Sequence, residues 1–171
     1  DGVDVASTVY YGLFALQHRG QESCGLAVSD TEGPKGKVMA SKGMGLVNEV
    51  FDGEKLEKLK GNIRVGHVRY STAGESQVIN SQPIVMSYRG GQMAMAHNGN
   101  LINAQIIRSK LEEEGAIFQT TIDTEVMAYL VARSRTSDIV QAIKRMMSVV
   151  KGAYSLVIAT QDALIAVRDP Q

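Results

Sequence analysis

Apolar residues recur along this chain with a period that switches between helical and strand-like spacing, and the switches mark out its elements. Val5, Val9, Leu13 and Leu16 stand three or four residues apart, which predicts a helix capped by Asp4 or Ser7. His18-Arg19-Gly20-Gln21 ends that helix, with Gly20 at the stop. The apolar run 24–28 predicts a buried strand, and 38–40 its return. Between them, residues 31–37 carry the Gly, Pro and charge of a hairpin tip. Gly43-Met44-Gly45 predicts a bend. It lacks both the strand–glycine–helix setting and the Lys-Ser/Thr ending of a phosphate loop. A short charged helix is expected over 54–60, ending at Gly61, then a strand over 63–70 interrupted at Gly66.

Residues 71–82 form a long polar loop. Long loops are disproportionately functional, and this one is expected to be mobile without ligand, because Gly74 and its polar neighbours have little to bury. Strands over 83–86 and 93–96 flank the turn Arg89-Gly90-Gly91. Asn103 can cap a helix whose core face carries Ile107 and Leu111 and which ends at Gly115. Val126 and Leu130 mark the next helix, and Ile139, Ile143, Met146, Met147 and Val150 a third, with Gly152 after it. Runs at 154–160 and 164–167 predict a last hairpin. Strands and helices are thus segregated rather than strictly alternating. That favours an α+β layered fold of mostly antiparallel sheets with helices packed outside, over a doubly wound sheet.

Composition narrows the function classes. The 171 residues, 44% hydrophobic and 21% charged, suit one globular domain with a sizeable core. Lys plus Arg and Asp plus Glu number 18 each, so no basic excess argues for nucleic acid and no polybasic run for a membrane surface. The single cysteine, Cys24, excludes an internal disulfide and any multi-cysteine metal site, and the cytosol is the simplest compartment. Both ends read as cut: Asp1 is not a Met and leads straight into a helical pattern, while Arg168-Asp169-Pro170-Gln171 follows a strand with no closing element.

The chemistry concentrates at His97-Asn98-Gly99-Asn100. Read alone, Asn-Gly is a tight hairpin turn. At a strand mouth, though, the Asn98 amide and the Gly99 N–H can aim two neutral donors at one point, an oxyanion hole for acyl transfer. Arg69 stands where a strand meets the polar loop and can hold a carboxylate bidentately, with Tyr70 and Thr72 able to close over a ligand. Its bland alternative is a surface ion pair. Asp123 opens a helix, either as a cap or as a carboxylate for a substrate ammonium. Together these groups describe an amino acid with a side-chain amide. Cys24 is a possible nucleophile, but its apolar neighbours suit an inert buried thiol. His18, His67 and His97 are too scattered for a local metal motif, so structural or hydrogen-bonding roles suit them better.

In order along the chain stand Tyr10-Tyr11-Gly12-Leu13, Leu16-Gln17-His18-Arg19-Gly20-Gln21-Glu22-Ser23, Lys42-Gly43-Met44-Gly45-Leu46-Val47 and Gly66-His67-Val68-Arg69-Tyr70-Ser71-Thr72. Ala96-His97-Asn98-Gly99-Asn100-Leu101, Ile117-Phe118-Gln119-Thr120, Asp123-Thr124-Glu125 and Lys151-Gly152-Ala153-Tyr154-Ser155 complete the set. Each is weak alone, but the ordered series is specific. It resembles the glutaminase domain of the amidophosphoribosyltransferase family (glutamine phosphoribosylpyrophosphate amidotransferases), among the class II glutamine amidotransferases. The resemblance implies a four-layer αββα sandwich of the N-terminal-nucleophile hydrolase type over residues 1–171.

It also implies glutamine hydrolysis to glutamate and ammonia for phosphoribosylamine formation in purine biosynthesis. Arg69 would bind the glutamine carboxylate, Asp123 its ammonium, and Asn98 and Gly99 the oxyanion. Tyr70, Thr72 and His97 would complete the substrate site. The expected partners are glutamine, a phosphoribosyltransferase domain of the same polypeptide, and further copies in a homo-oligomer, in the cytoplasm. No metal or cofactor is expected in this domain; Mg2+ belongs to the transferase half, and whether the parent carries an iron–sulfur cluster is open.

The departure is the nucleophile. In the family it is an N-terminal cysteine leading a Gly-Val/Ile-Phe-Gly type strand, with its own α-amine, of pKa about 8, as base. This sequence starts beyond that strand, at Asp1, so the fragment alone is expected to be inactive. Two alternatives stay open: a non-catalytic ligand-binding or assembly domain of the same fold, and the glutaminase domain of a sister amidotransferase.

Overall fold

The computed structural model describes residues 5–70 and 76–170. The chain runs through helix α1 (Val5–Ala15), a 3-10 turn (Gln17–Arg19), strands β1 (Ser23–Ser29) and β2 (Met39–Met44), helices α2 (Val47–Val50) and α3 (Gly53–Lys58), and strand β3 (Ile63–Arg69). A 3-10 turn (Val78–Asn80) leads to β4 (Ile84–Tyr88) and β5 (Gly91–Leu101). Then come α4 (Ala104–Glu113), α5 (Asp123–Ala132), α6 (Ile139–Val149) and the hairpin β6 (Gly152–Ala159) and β7 (Leu164–Arg168). The strands form two sheets, ordered β2-β1-β3 and β4-β5-β6-β7, and every pairing is antiparallel.

Side-chain alternation along the strands builds the layers, because successive residues point to opposite faces. On β5, Met93 and Met95 join the core formed with α4–α6, whereas Ala94 and Ala96 face the other sheet. On β1, Cys24, Leu26 and Val28 pack under α1–α3, whereas Ala27 faces inward. Large residues therefore fill the two helix–sheet layers, at roughly 1.5–3 kcal/mol per buried side chain. Small ones, Ala27, Ala94, Ala96 and Ala159 with Val38 and Val65, line the thin middle layer. The result is the α+β layered plan expected from the segregated pattern, in the four-layer αββα form that the resemblance implies. Among the described residues no helix is long and apolar enough to cross a membrane.

Several local expectations are corrected. β3 is not interrupted at Gly66, which pairs with Leu26. A Cβ there would lie 2.9 Å from the Leu13 methyl carbons, so this glycine makes room for α1. β2 runs past Ala40 and through Gly43, which pairs with Cys24 and where a side chain would press on Val50. The bend falls at Gly45, with φ of 111°, and the helix after it has only four residues, too few for a period to register. Ser7 lies inside α1 rather than capping it, and Asp4 lies outside the described residues. Asn103 stands at the N-cap position of α4, but its side chain makes no capping hydrogen bond there. Its side chain bonds Val149 O and Lys151 N instead, tying α4 to the end of α6.

Of the long polar loop, residues 71–75 lie outside the described set. Its end is anchored: Asn80, Ser81 and Gln82 are buried. Asn80 exchanges two 3.0 Å hydrogen bonds with Thr121.

Candidate active site

A cleft of about 730 Å³ opens where β3 and the second half of β5 meet the start of α5. Arg69, Tyr70, His97, Asn98, Gly99 and Asp123 all line it. The remaining candidate, Thr72, lies outside the described residues.

The largest surprise is β5. It does not end at Ala96 but continues to Leu101, with Asn98 opposite Ser155 and Gly99 opposite Tyr154. The Asn-Gly pair is thus ladder and not a hairpin turn. Gly99 has φ of 142°, and a Cβ on it would collide with the Ala153 carbonyl oxygen. Only glycine fits this backbone. Asn98, Gly99 and Asn100 are exposed within the cleft, at the end of a strand whose preceding five residues are buried.

Arg69 ends β3 opposite Ser23. Its guanidinium donates to Glu22 Oε1 at 3.1 Å, with the two side chains only 6% and 12% exposed. Glu22 is tied to Arg69 a second time, by its N–H to the Arg69 carbonyl at 3.1 Å. This is a buried pair and not the surface one considered from sequence, and removing one partner of such a pair costs far more than its net contribution. Tyr70, by contrast, is 67% exposed at the cleft mouth.

Asp123 is the first residue of α5 and not its cap, a position held by Ile122. Its Oδ2 accepts the Leu101 N–H at 3.0 Å, which pins the end of β5 to the helix start. The segment before α5 is held by Glu125 instead, which accepts from Gln119 N, Thr120 N and Thr120 Oγ1.

Two histidines flank these groups. His97 presents its main chain to the Gln82 side chain, with N–H to Oε1 at 2.7 Å and Nε2 to the carbonyl at 3.3 Å. Its ring reaches Thr124 Oγ1 at 3.4 Å. Burial pushes the His97 pKa down to about 4, against a favourable pull from Asp123. Burial likewise lowers His67 to about 4, opposed by a hydrogen bond to the His97 backbone. Both rings are therefore neutral at physiological pH.

Cys24 is no part of the site. It is fully buried in the core under α1–α3, and burial pushes its thiol up to about 11. A thiol held protonated in an apolar layer is not a nucleophile, so the cysteine reading is set aside. His18 is exposed and contacts the Ala15 carbonyl at 3.1 Å.

Gln82, Thr124, His67 and Glu22 were not assigned site roles from sequence. Thr124 and His67 stand inside the motif segments that carry Asp123 and Arg69, and Glu22 inside a separate one, which was the available signal. Gln82 sits 15 positions from His97, and only folding joins them.

Fold and cleft together define an N-terminal-nucleophile-type αββα domain with a polar cleft at one end of its two sheets. Residues 67–171 match the profile of the glutamine amidotransferase domain, and the chain belongs to that family. The chain is 48% identical to the amidophosphoribosyltransferase of Methanothermobacter thermautotrophicus, over 97% of this sequence and 35% of that protein. It is 47% identical to that of Bacillus subtilis, over 94% and 33% respectively. The solved structure of an allosteric regulatory enzyme of purine biosynthesis superposes with a TM-score of 0.89 at 45% identity, covering 96% of this chain and 35% of that one. The B. subtilis glutamine phosphoribosylpyrophosphate amidotransferase, complexed with ADP and GMP, gives 0.86 at 44% identity, with coverage of 96% and 35%. The chain thus spans about a third of the length of these relatives.

Proposed function

We propose that residues 1–171 are the glutaminase domain of an amidophosphoribosyltransferase, hydrolysing the side-chain amide of glutamine to glutamate and ammonia. In this reading Arg69 grips the glutamine carboxylate and Asp123 its α-ammonium, while Asn98 and the Gly99 N–H stabilise the oxyanion. Tyr70 and Thr72 close the mouth. One observation carries the reading: a guanidinium, a carboxylate and an Asn-Gly pair line a single cleft. A free amino acid with an amide side chain complements that set. Ammonia would pass to a phosphoribosyltransferase domain of the same polypeptide, for which the lengths of the relatives leave room. That domain would carry the Mg2+ chemistry of purine biosynthesis, within a cytoplasmic homo-oligomer. Because Cys24 is buried and protonated, the nucleophile in this reading is an N-terminal cysteine of the intact polypeptide, and residues 1–171 alone are inactive.

The test is direct. The intact gene product should release glutamate from glutamine and lose that activity to a glutamine-mimicking alkylator. An intact protein bearing the leading cysteine that hydrolyses no glutamine defeats the proposal.

A further inference from the structure

The two edges of β5 end at different places. Toward β6 the ladder runs on to Leu101, opposite Gly152. Toward β4 the last main-chain pair sets Ile84 opposite Met95. Along a strand, the N–H and C=O of successive residues turn to alternate sides. His97 N and Leu101 N both bond groups on the side away from β6, Gln82 Oε1 and Asp123 Oδ2. Ile102 N turns the other way, to the Lys151 carbonyl. Gly99 shares the parity of His97 and Leu101, so its N–H faces the side that β4 has vacated. Gly99 also lines the cleft.

Register shows what keeps that side open. Continued past Ile84, the β4 pairing would put residue 82 on His97 and residue 80 on Gly99, covering its N–H. At the first position a side chain stands in for main chain. Gln82 Oε1 accepts the His97 N–H at 2.7 Å, and Nε2 donates to the His97 carbonyl at 3.3 Å. At the second position the chain has left: Asn80 exchanges its bonds with Thr121 instead. Gln82 is itself buried and held from two sides. Thr124 Oγ1 donates to its Oε1 at 3.2 Å. A Cβ on Gly25 would lie 2.3 Å from the Gln82 carbonyl oxygen, so β1 packs directly on its main chain. An amide bonded to both main-chain groups of one residue fixes the strand there, and Gly99 follows two residues on. We infer that Gln82 is a positioning residue for glutamine hydrolysis: its amide closes the β4 edge at His97, which leaves the Gly99 N–H uncovered and aimed into the cleft. Gln82 acts through β5 and not on the substrate. The inference rests on the oxyanion role proposed above for Gly99. Such a donor serves the tetrahedral state only when it is held in place beforehand.

The experiment uses the intact gene product and three ligands: glutamine, glutamate and the analogue with an aldehyde in place of the amide. The aldehyde carbon bonds the nucleophilic sulfur while the C=O pair moves onto oxygen and the thiol proton passes to the α-amine. Its adduct therefore reads the oxyanion contacts, whereas glutamate reads ground-state binding. Gln82→Met keeps the volume and removes the amide. It should lower kcat about 10- to 100-fold, with the KM for glutamine within about 3-fold of wild type. The inhibition constant of the aldehyde should rise about 10-fold or more, and that of glutamate should change less than about 2-fold. A loss of folded protein would lower kcat but would not move an inhibition constant. Gln82→Asn, which withdraws the amide by one carbon, should give the same pattern at about 5-fold and decides if Gln82→Met does not fold. A kcat loss without weaker aldehyde binding overturns the assignment, as do equal shifts for all three ligands or no shift for any. Failure of the underlying reading looks different: the wild-type protein then hydrolyses no glutamine.

Discussion

β5 is one strand with two different halves. Residues 93–96 alternate methionine toward the helices with alanine toward the opposite sheet, and all four are buried. Their contribution is non-directional packing, spread over many contacts. Residues 97–101 continue the same ladder against β6, but they are held by directed bonds: Gln82 and Thr124 on His97, and Asp123 on the Leu101 N–H. The first half tolerates volume-conserving change. The second has little slack, because each bond fixes the orientation of the next. A strand can thus serve as core at one end and as a polar scaffold at the other, without changing its pairing.

Substitutions can break this contrast. The largest effect is expected from Gly99→Ala, which forces a side chain onto the Ala153 carbonyl at a positive φ. We expect on the order of 4 kcal/mol or more of lost stability, visible as a large drop in melting temperature, with activity abolished. Met95→Ala, in the apolar half, should cost about 2–5 kcal/mol by leaving a cavity. The KM for glutamine should stay unchanged in whatever protein remains folded. Denaturant unfolding and steady-state kinetics separate the two, and a raised KM would show that the halves are coupled.

Asn98→Ala should do the reverse. The side chain is exposed in the cleft, so stability should hold while kcat falls about 100-fold, as for loss of one oxyanion donor. A kcat within a few-fold of wild type would remove Asn98 from the oxyanion role.

The buried histidines sharpen the comparison through pH. Their folded pKa values, about 4, lie below the ordinary value of 6.5. Between those limits the unfolded chain binds more protons, so stability rises with pH through the window and is lost as pH falls from 6.5 toward 4. The loss should be on the order of 2–3 kcal/mol per ring at most. His67→Gln and His97→Gln should flatten that slope in unfolding measured across the window. Smallest of all, Cys24→Ala should cost about 1 kcal/mol and leave glutamine turnover intact, since the thiol packs in the core away from the cleft. Loss of turnover there would reopen the nucleophile question.

Much of this arrangement was legible from the sequence, and the misses have specific causes. Helical and strand periods located α1, α4, α5, α6 and most strands, because one face of each is buried and the period records it. Gly66 and Gly99 misled for a shared reason. A glycine in a strand signals either a break or a close approach, and the sequence does not distinguish them. Here Leu13 and the Ala153 carbonyl occupy the space, so both strands run on.

The amino-acid order by itself determined the layered α+β plan and the residue types of the cleft, since burial period and side-chain chemistry are properties of local sequence. Tertiary structure alone decided that Glu22 pairs with Arg69, that Cys24 is sealed away, and that Gln82 and Thr124 meet at His97. Those outcomes depend on hydrogen bonds and burial between residues far apart in the chain. Such contacts exist only once the two sheets have closed on each other, and no local pattern encodes them.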